Sequence, residues 1–328
     1  MSRWTLISTK IYSFAKNKSM SIVLIFNNKD PKPWAESLTK QLPETAIHVY
    51  PNVGDPDLIR FAICWKPTNY VLNEFPNLKV IQSAGAGVDH ISRTQTIRPN
   101  QVLTRIVDDN LTHDMWEFLL AAVLSNIKKL PFYARQQNDK NWSPTPYQTF
   151  KNTTVSILGL GQIGAFVAAQ FAALGFVVKG WSQSEKHIEN VQSFAGENGF
   201  NAAINDADFL MNLLPLTPET ENILNKNTLK QAKMGSFLIN VGRGEHLVEA
   251  DLIALLDDNH LSGALLDVFR TEPLPTEHPF WAHPKIQLTP HIASITNFES
   301  ATEQIAQNYR NFKSHIALQN IVSLEKGY

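Results

Sequence analysis

Three ionisable side chains each follow an apolar run, and their chemical types suit the reduction of a small 2-oxo acid. Arg243 lies in LINVGRGEHLVE, Glu272 in GALLDVFRTEPLP and His291 in KIQLTPHIAS, so successive members are 29 and 19 residues apart. An Arg can hold a 2-oxo carboxylate and polarise its carbonyl through a planar fork. A His can donate a proton as a hydride arrives, and a neighbouring carboxylate stabilises the imidazolium. The set therefore favours proton-coupled hydride chemistry on a 2-oxo acid.

A glycine-rich segment, GLGQIG, lies between a buried-strand run and an alanine-rich helical run. Gly159 permits a tight turn, Gly161 lets a pyrophosphate approach the backbone, and Gly164 allows close helix–strand packing. The helix that starts with Gln162 and Ile163 offers free N–H groups and a positive dipole end to phosphates. In this strand–turn–helix setting the segment predicts a dinucleotide site.

The end of the following strand bears on which dinucleotide binds. Enzymes that use NAD place a carboxylate there to accept bonds from the ribose hydroxyls. Here that position is Ser182, followed by Gln183, Ser184, Glu185 and Lys186. An uncharged turn does not repel a 2′-phosphate and Lys186 can pair with it, whereas Glu185 acts the other way. We expect NADPH to be preferred modestly and NADH to be accepted.

From Ser21 onward, short apolar runs alternate with segments of helical periodicity. Near-continuous apolar strands separated by helices indicate parallel sheets covered on both faces. We therefore predict an α/β protein with two parallel-sheet units, and a final helix near 297–316 that returns to the first unit. Helices are expected at Trp34–Leu42, Tyr70–Phe75, Leu111–Leu130 (closed by Pro131), 161–174, Lys226–Ala232 and Glu249–Leu256. Strands are expected at Ile22–Phe26, Ala46–Val49, Phe61–Trp65, Lys79–Gln82 and Val102–Ile106, and in VSILGL, FVVKGW, FLMNLLP, SFLIN, GALLDVF and KIQLTP.

Composition excludes several other classes of protein. The chain has 328 residues, with 29 Lys and Arg against 30 Asp and Glu, so no basic field is available for nucleic acid. Its single cysteine excludes a disulfide framework and a cysteine-based zinc cluster. No run of about 18 apolar residues is present to cross a membrane. We expect a cytoplasmic protein with no membrane partner and no metal.

The first 20 residues stand apart from this pattern. The first acidic residue is Asp30, and five basic residues precede it. This stretch has some of the basic, serine-containing character of an organellar transit peptide, but it has a single Arg. We favour a solvated extension, or an upstream start that precedes a true start at Met20.

Five motifs together resemble the D-2-hydroxyacid dehydrogenase family, and within it the glyoxylate/hydroxypyruvate reductase A group. The resemblance covers nearly all of the chain from Ser21, and SAGAGVDH and WSPTPY add to it. It implies two doubly wound parallel-sheet domains with the active site between them. One is a Rossmann-like NAD(P) domain over 115–290, and the other a discontinuous flavodoxin-like substrate domain over 21–114 and 291–328. It also implies a homodimer. The five motifs are GLGQIG, LLPLTPET, INVGRGEHLVE, GALLDVFRTEPLP and TPHIASIT.

The resemblance also implies roles for individual residues. Arg243 is the substrate arginine, His291 the acid/base, and Glu272 the carboxylate that supports His291. Ala86 and Gly87 offer backbone N–H groups to the substrate carboxylate, and Trp65 and Lys66 line the substrate pocket. Asp267 faces the nicotinamide amide, and close relatives carry Arg in place of Gln183. The remaining expected cofactor contacts are Leu214, Pro215 and Thr217 on the adenosine side, together with Val241 and Gly242.

Three other interpretations start from the same fold. A dinucleotide-sensing interaction protein would have no chemical need for the whole set of Arg243, Glu272 and His291. A formate-type dehydrogenase removes no carbinol proton, and its relatives pair the His with Gln rather than with Glu. A dehydrogenase for a larger 2-oxo acid would keep the same three residues, so only the substrate distinguishes it.

Overall fold

A computed structural model describes residues 20–325 and 327. The expected N-terminal extension therefore lies outside the described residues, apart from Met20. Within the described part of the chain, no helix combines the length and the apolar character needed to cross a membrane.

The first part of the chain forms a five-stranded sheet. Its elements are β1 (Ser21–Phe26), α1 (Lys32–Gln41), β2 (Ile47–Val49), β3 (Ile59–Trp65), β4 (Val80–Ser83), α2 (Asp89–Ser92) and β5 (Val102–Thr104). All strand pairs are parallel, in the order β2-β1-β3-β4-β5. This is the flavodoxin-like order, in which ligands bind beyond the carboxyl ends of the strands.

Both faces of this sheet are buried, which explains its uninterrupted apolar strands. Ile22 and Leu24 pack on one face with Trp34 of α1. Val23 and Ile25 pack on the opposite face with a second cluster of buried side chains. Because side chains alternate along a strand, covering both faces requires apolar residues at every position.

The second part of the chain forms a seven-stranded sheet. Its elements are α3 (Asp109–Ile127), α4 (Leu130–Asn138), β6 (Thr154–Leu158), α5 (Gln162–Leu174), β7 (Val177–Ser182), β8 (Val191–Ala195), α6 (Gly196–Ile204), β9 (Phe209–Asn212), α7 (Lys226–Leu229), β10 (Ser236–Asn240), α8 (Glu249–Asp257), β11 (Leu261–Leu266) and β12 (Ile286–Leu288). The order β12-β11-β10-β9-β6-β7-β8 is entirely parallel. It is the Rossmann order extended by one strand, so the predicted fold class is confirmed.

Two helices link the sheets. Leu111, near the start of α3, joins a core cluster of the first sheet, whereas Met115 and Leu119 join a core cluster of the second. The last helix, α9 (Phe298–Lys313), returns to the first sheet, where Ile305 packs in the same cluster as Trp34. This return agrees with the expected path of the chain, while the domain limits 114/115 and 290/291 stay a prediction.

Local predictions failed at three places, each for a physical reason. Pro131 does not simply close a helix: α3 ends at Ile127, and Pro131 lies in the first turn of α4, where its missing N–H is tolerated. Strand β8 and helix α6 were missed because Gln, Ser, Asn and Gly interrupt any apolar run. The expected helix over Tyr70–Phe75 is only a short 3₁₀ turn, Val71–Glu74.

The glycine-rich turn joins β6 to α5 as expected. Gly159 has φ of +104°, in the left-handed region that favours glycine. A Cβ on Gly164 would lie 1.9 Å from the carbonyl oxygen of Gly159, so only glycine lets α5 approach β6 this closely. A Cβ on Gly161 would meet nothing within 4 Å. The turn is therefore tightly packed between Gly164 and Gly159, whereas Gly161 faces open space.

We expect Gly164→Ala to lower the free energy of unfolding by about 3 kcal/mol, since the new methyl group meets backbone that cannot rotate away. Urea unfolding followed by circular dichroism measures the change. The matched control is Gly161→Ala, which should lose about 1 kcal/mol or less because it faces open space. Equal losses in the two variants would contradict the close contact assigned to Gly164.

Candidate active site

The carboxyl ends of the two sheets bring the predicted catalytic residues together. Arg243 follows β10, Glu272 follows β11 and His291 follows β12 in the second sheet. Lys66 follows β3 and Gly87 follows β4 in the first sheet. Hydrogen bonds and ion pairs described below join these segments across the gap between the sheets, so the site contains residues of both.

His291 and Glu272 form a close pair. The Nδ1 atom of His291 lies 2.9 Å from Oε2 and 3.1 Å from Oε1 of Glu272. Burial acts to raise the pKa of Glu272, but the hydrogen bond and charge of His291, the Phe269 N–H and the Lys66 ammonium outweigh it and lower that pKa to about 2. Glu272 is therefore ionised at neutral pH and can support an imidazolium. The pairing through Nδ1 leaves Nε2 as the nitrogen directed away from Glu272.

Asp267 holds the loop that carries His291. Its carboxylate is buried and accepts hydrogen bonds from Thr289 Oγ1 (2.6 Å), Ile292 N (2.8 Å) and Ala293 N (2.9 Å). His291 itself has φ of +56° and donates its N–H to the carbonyl of Asp267. Asp267 thus fixes an unusual backbone conformation at the acid/base residue. The expected contact of Asp267 with a nicotinamide amide stays a prediction.

Arg243 is held by a residue that the sequence analysis missed. Its Nε donates to both carboxylate oxygens of Asp89, at 3.0 and 3.1 Å, and Nη2 lies 3.0 Å from Oδ1. Burial acts to lower the pKa of Arg243 and to raise that of Asp89, but the attraction between them prevails in both. A Cβ on Gly87 would lie 1.9 Å from Nη2, so this glycine makes room for the guanidinium. Asp89 is the only acidic residue of SAGAGVDH, and this was the one feature of the sequence that could have identified it as a partner for Arg243.

The backbone of Arg243 is held by hydrogen bonds to two buried uncharged side chains, Asn240 and His246. The N–H of Arg243 donates to His246 Nδ1 (3.1 Å), and Asn240 Nδ2 donates to the Arg243 carbonyl (3.0 Å). Asn212 Nδ2 lies 2.8 Å from both Asn240 Oδ1 and His246 Nδ1. Because Nδ1 of His246 accepts, its Nε2 carries the proton that Pro215 O accepts at 3.2 Å.

His246 is a structural residue rather than a second acid/base. Burial lowers its pKa to about 4, so it is neutral at physiological pH. It lies in the 3₁₀ turn Gly244–His246 that follows Arg243. No sequence pattern indicates its bond to Pro215, because the two residues are 31 positions apart.

Trp65 and Lys66 occupy the edge of the site on the first sheet. The Trp65 ring lies 5.3 Å from that of His90, and the Lys29 ammonium lies 4.6 Å from the Trp65 ring centroid. Lys66 Nζ lies 3.2 Å from Glu272 Oε2. Trp65 is therefore fixed in place by its neighbours, and Lys66 reaches across to the second sheet.

Most of the predicted cofactor residues lie at the carboxyl ends of strands β6, β7, β9 and β10 of the second sheet. The open side of Gly161 leaves space that a pyrophosphate would fill, above the first N–H groups of α5, which have no intrahelical partners. Ser182 ends β7, the neighbour of β6, and its Oγ donates to the Ser184 carbonyl (2.7 Å). The residues present thus fit a dinucleotide. Gln183, Ser184 and Lys186 are exposed, Leu214, Pro215 and Thr217 follow β9, and Val241 and Gly242 follow β10.

The bond between Asp89 and Arg243 can be tested without any ligand. We expect Asp89→Asn to lower the free energy of unfolding by about 1–3 kcal/mol, because it leaves a partly buried guanidinium without its counter-ion. A double-mutant cycle with Arg243→Gln should give a coupling of about 1 kcal/mol or more in urea unfolding at pH 7. Additive effects would contradict the pair.

The pH dependence of that coupling follows from the lowered pKa of Asp89. A group whose pKa is depressed by folding contributes stability above its ordinary value, here 3.8, and loses it as the pH falls further. The coupling should therefore be constant at neutral pH and should shrink below pH 3.8.

Comparison with known proteins gives a consistent result. The family model for the D-isomer specific 2-hydroxyacid dehydrogenase, NAD binding domain, matches residues 120–293. The glyoxylate/hydroxypyruvate reductase A of Serratia proteamaculans is 37% identical over 94% of this chain and all of its own length. The protein of that name from Yersinia enterocolitica is 35% identical over the same shares.

Solved structures agree with this chain over both sheets. A D-isomer specific 2-hydroxyacid dehydrogenase from Xanthobacter autotrophicus, in complex with NADPH and MES, superposes with a TM-score of 0.89 and 34% identity. An NADPH-dependent glyoxylate/hydroxypyruvate reductase from Sinorhizobium meliloti, with NADP and sulfate, gives 0.87 and 32%. Each comparison covers 94% of this chain and all of the other. The chain therefore belongs to the D-isomer-specific 2-hydroxyacid dehydrogenase family.

Proposed function

We propose that this protein reduces a small 2-oxo acid, glyoxylate or hydroxypyruvate, to the D-2-hydroxy acid with NADPH or NADH. The observation that carries the proposal is that Arg243 and the His291–Glu272 pair follow neighbouring strands of the second sheet, and that each is joined to a residue of the first sheet, Arg243 to Asp89 and Glu272 to Lys66. The relatives named above support the choice of substrate and cofactor.

Each residue has a separate task in this reaction. The dihydronicotinamide, when bound, supplies the hydride that adds to the carbonyl carbon of the substrate. Arg243 uses Nε and one Nη2 hydrogen toward Asp89, and one Nη1 hydrogen toward the Gly242 carbonyl (2.7 Å), so one hydrogen on each of Nη1 and Nη2 is left for carboxylate and carbonyl oxygens. In this proposal the backbone N–H groups of Ala86 and Gly87 bind the substrate carboxylate, and the closeness of Gly87 to Nη2 supports that role. Trp65 is proposed to line the pocket.

The proton that completes the alcohol comes from His291. Its Nε2 protonates the oxygen as the C–O double bond becomes single, and the imidazole is left neutral. Glu272 stabilises the imidazolium before this step and fixes the ring through Nδ1. In the oxidation direction the same nitrogen accepts the proton.

The decisive experiment measures NADPH and NADH oxidation with glyoxylate, hydroxypyruvate, pyruvate and phenylpyruvate in parallel. We expect turnover with glyoxylate and hydroxypyruvate. His291→Ala should lower kcat by about 10²–10⁴, the range for loss of a general acid, with cofactor affinity retained. Turnover of phenylpyruvate alone would assign a larger substrate. Cofactor binding without turnover of any 2-oxo acid would favour the dinucleotide-sensing protein instead.

A modest preference for NADPH follows from the turn after β7. Ser182 places no fixed negative charge there, and a hydrogen bond to a charged phosphate contributes roughly 1.5–3 kcal/mol, about ten- to a hundred-fold in affinity. Gln183 and Ser184 can donate such bonds, and exposed Lys186 adds a positive charge. Glu185, which lies 3.8 Å from His187, reduces the positive electrostatic potential of this turn and so limits the preference for NADPH.

We expect Ser182→Asp to reverse the preference, because a carboxylate repels the 2′-phosphate and binds the ribose hydroxyls. The ratio of kcat/KM for NADPH and NADH measures the change. Lys186→Ala serves as the partner variant, which should weaken NADPH without affecting NADH. A wild-type preference for NADH of about tenfold or more would contradict this interpretation of the turn.

We also propose that the protein acts in the cytoplasm as a homodimer. The segment between α4 and β6 exposes two aromatic side chains, Trp142 (97% exposed) and Tyr147 (59% exposed). Exposed aromatic side chains of this kind support the proposal that a second copy of the chain binds there. Burial of such side chains against another chain is a typical source of association energy. The domain limits given above are part of the same proposal.

A further inference from the structure

Lys66 makes a contact that the proposed reaction does not use. It lies at the end of β3 with φ of +44°, a left-handed conformation that directs it toward the second sheet. Its Nζ lies 3.2 Å from Oε2 of Glu272, and the same oxygen lies 2.9 Å from Nδ1 of His291. One carboxylate oxygen therefore serves two cationic groups that belong to different sheets.

We propose that Lys66 is a positioning residue that sets the acid strength of His291 through Glu272. The inference rests on the proposed function, in which His291 is the proton donor. It differs from the expectation that Lys66 simply lines the substrate pocket, because Lys66 acts here on the acid/base pair whether or not a substrate is bound.

The physical basis is competition for one negative charge. Glu272 raises the proton affinity of His291, and a second cation on the same oxygen offsets part of that effect. Lys66 is 41% exposed, so water screens its interaction with Glu272 and the expected effect is small.

The other charged groups near His291 stay unchanged when Lys66 is replaced. Arg243 is neutralised by Asp89, and Asp267 is bonded to Thr289 and to the backbone of the His291 loop. His90, beside Trp65, has its pKa lowered by burial to about 4 and is neutral. Among the residues that the structure describes, Lys66 is the cationic side chain that joins the first sheet to Glu272. The acid strength of the pair is therefore linked to the contact between the two sheets.

The sign of the effect on activity can be worked out. Reduction needs protonated His291, so the rate falls once the pH is high enough to remove that proton. Without Lys66 the carboxylate of Glu272 supports the protonated form of His291 alone, and activity should persist to higher pH. A residue that merely held the fold would lower the rate without moving this limb of the profile.

The test measures kcat for glyoxylate at saturating NADPH from pH 5 to pH 10 in three variants. We expect Lys66→Met to shift the alkaline limb upward by about half to one pH unit, and Lys66→Arg to keep the wild-type profile. Lys32→Met is the matched control, because it breaks another Lys–Glu pair, with Glu36, that is exposed and lies on α1. It should leave the profile unchanged.

A second measurement separates this inference from the proposed function. NMR titration of ¹³C-labelled histidines, with the His291 signal assigned by His291→Gln, gives the pKa of His291 without turnover. The same upward shift in Lys66→Met supports the inference even if glyoxylate proves not to be the substrate. A raised KM with an unmoved limb and an unmoved His291 titration would overturn it, and would make Lys66 a substrate-binding residue. Wild-type protein inactive on every 2-oxo acid would overturn the proposed function alone.

Discussion

Ion pairs between the two sheets are the interaction on which the site depends. Arg243 lies against Asp89, and Glu272 lies against Lys66, so these two side chains of the second sheet each have a counter-ion from the first. A partly buried charge without such a partner would cost several kcal/mol. Arg93 adds a third link through Glu221 and Glu245. The contact between the sheets and the geometry of the site therefore depend on the same ion pairs.

The second constraint is a layer of buried polar groups that lies beneath these charges. Asn212, Asn240 and His246 hold the turn that carries Arg243, while Asp267 holds the loop that carries His291. Buried polar groups are costly unless every one of them is bonded, so each such network strongly disfavours alternative loop conformations. This rigidity explains how a positive φ at His291 is maintained at a site where position matters.

Sequence analysis predicted the parts of this structure that have local signals. Apolar runs located eleven of the twelve strands within the described residues, and the strand–turn–helix context located the glycine-rich turn. The acid/base pair was suggested by residue types that follow strands, because parallel strands end at one edge of a sheet. Strand β8 was missed because it is polar and lies at the edge of its sheet. The bond of Asp89 to Arg243 spans 154 residues and that of Lys66 to Glu272 spans 206, and no periodicity connects such positions.

The charges gathered between the sheets are balanced for the reaction we propose. With His291 protonated, the side chains joined by ion pairs comprise three cations, Arg243, Lys66 and His291, and two carboxylates, Asp89 and Glu272, so these five have one positive charge in excess, while the nearby Asp267 carboxylate is bonded to Thr289 and to backbone N–H groups. A bound 2-oxo carboxylate neutralises that excess. Proton donation then removes one positive charge from His291, and a bound dihydronicotinamide that had given up its hydride would supply one positive charge in its place, so the total would stay at zero. Since separating charge in a partly buried site is costly, this conservation keeps the electrostatic work of the reaction small. Lys66 is essential to the balance: without it the bound complex would carry a net negative charge, which would hold the proton more tightly on His291.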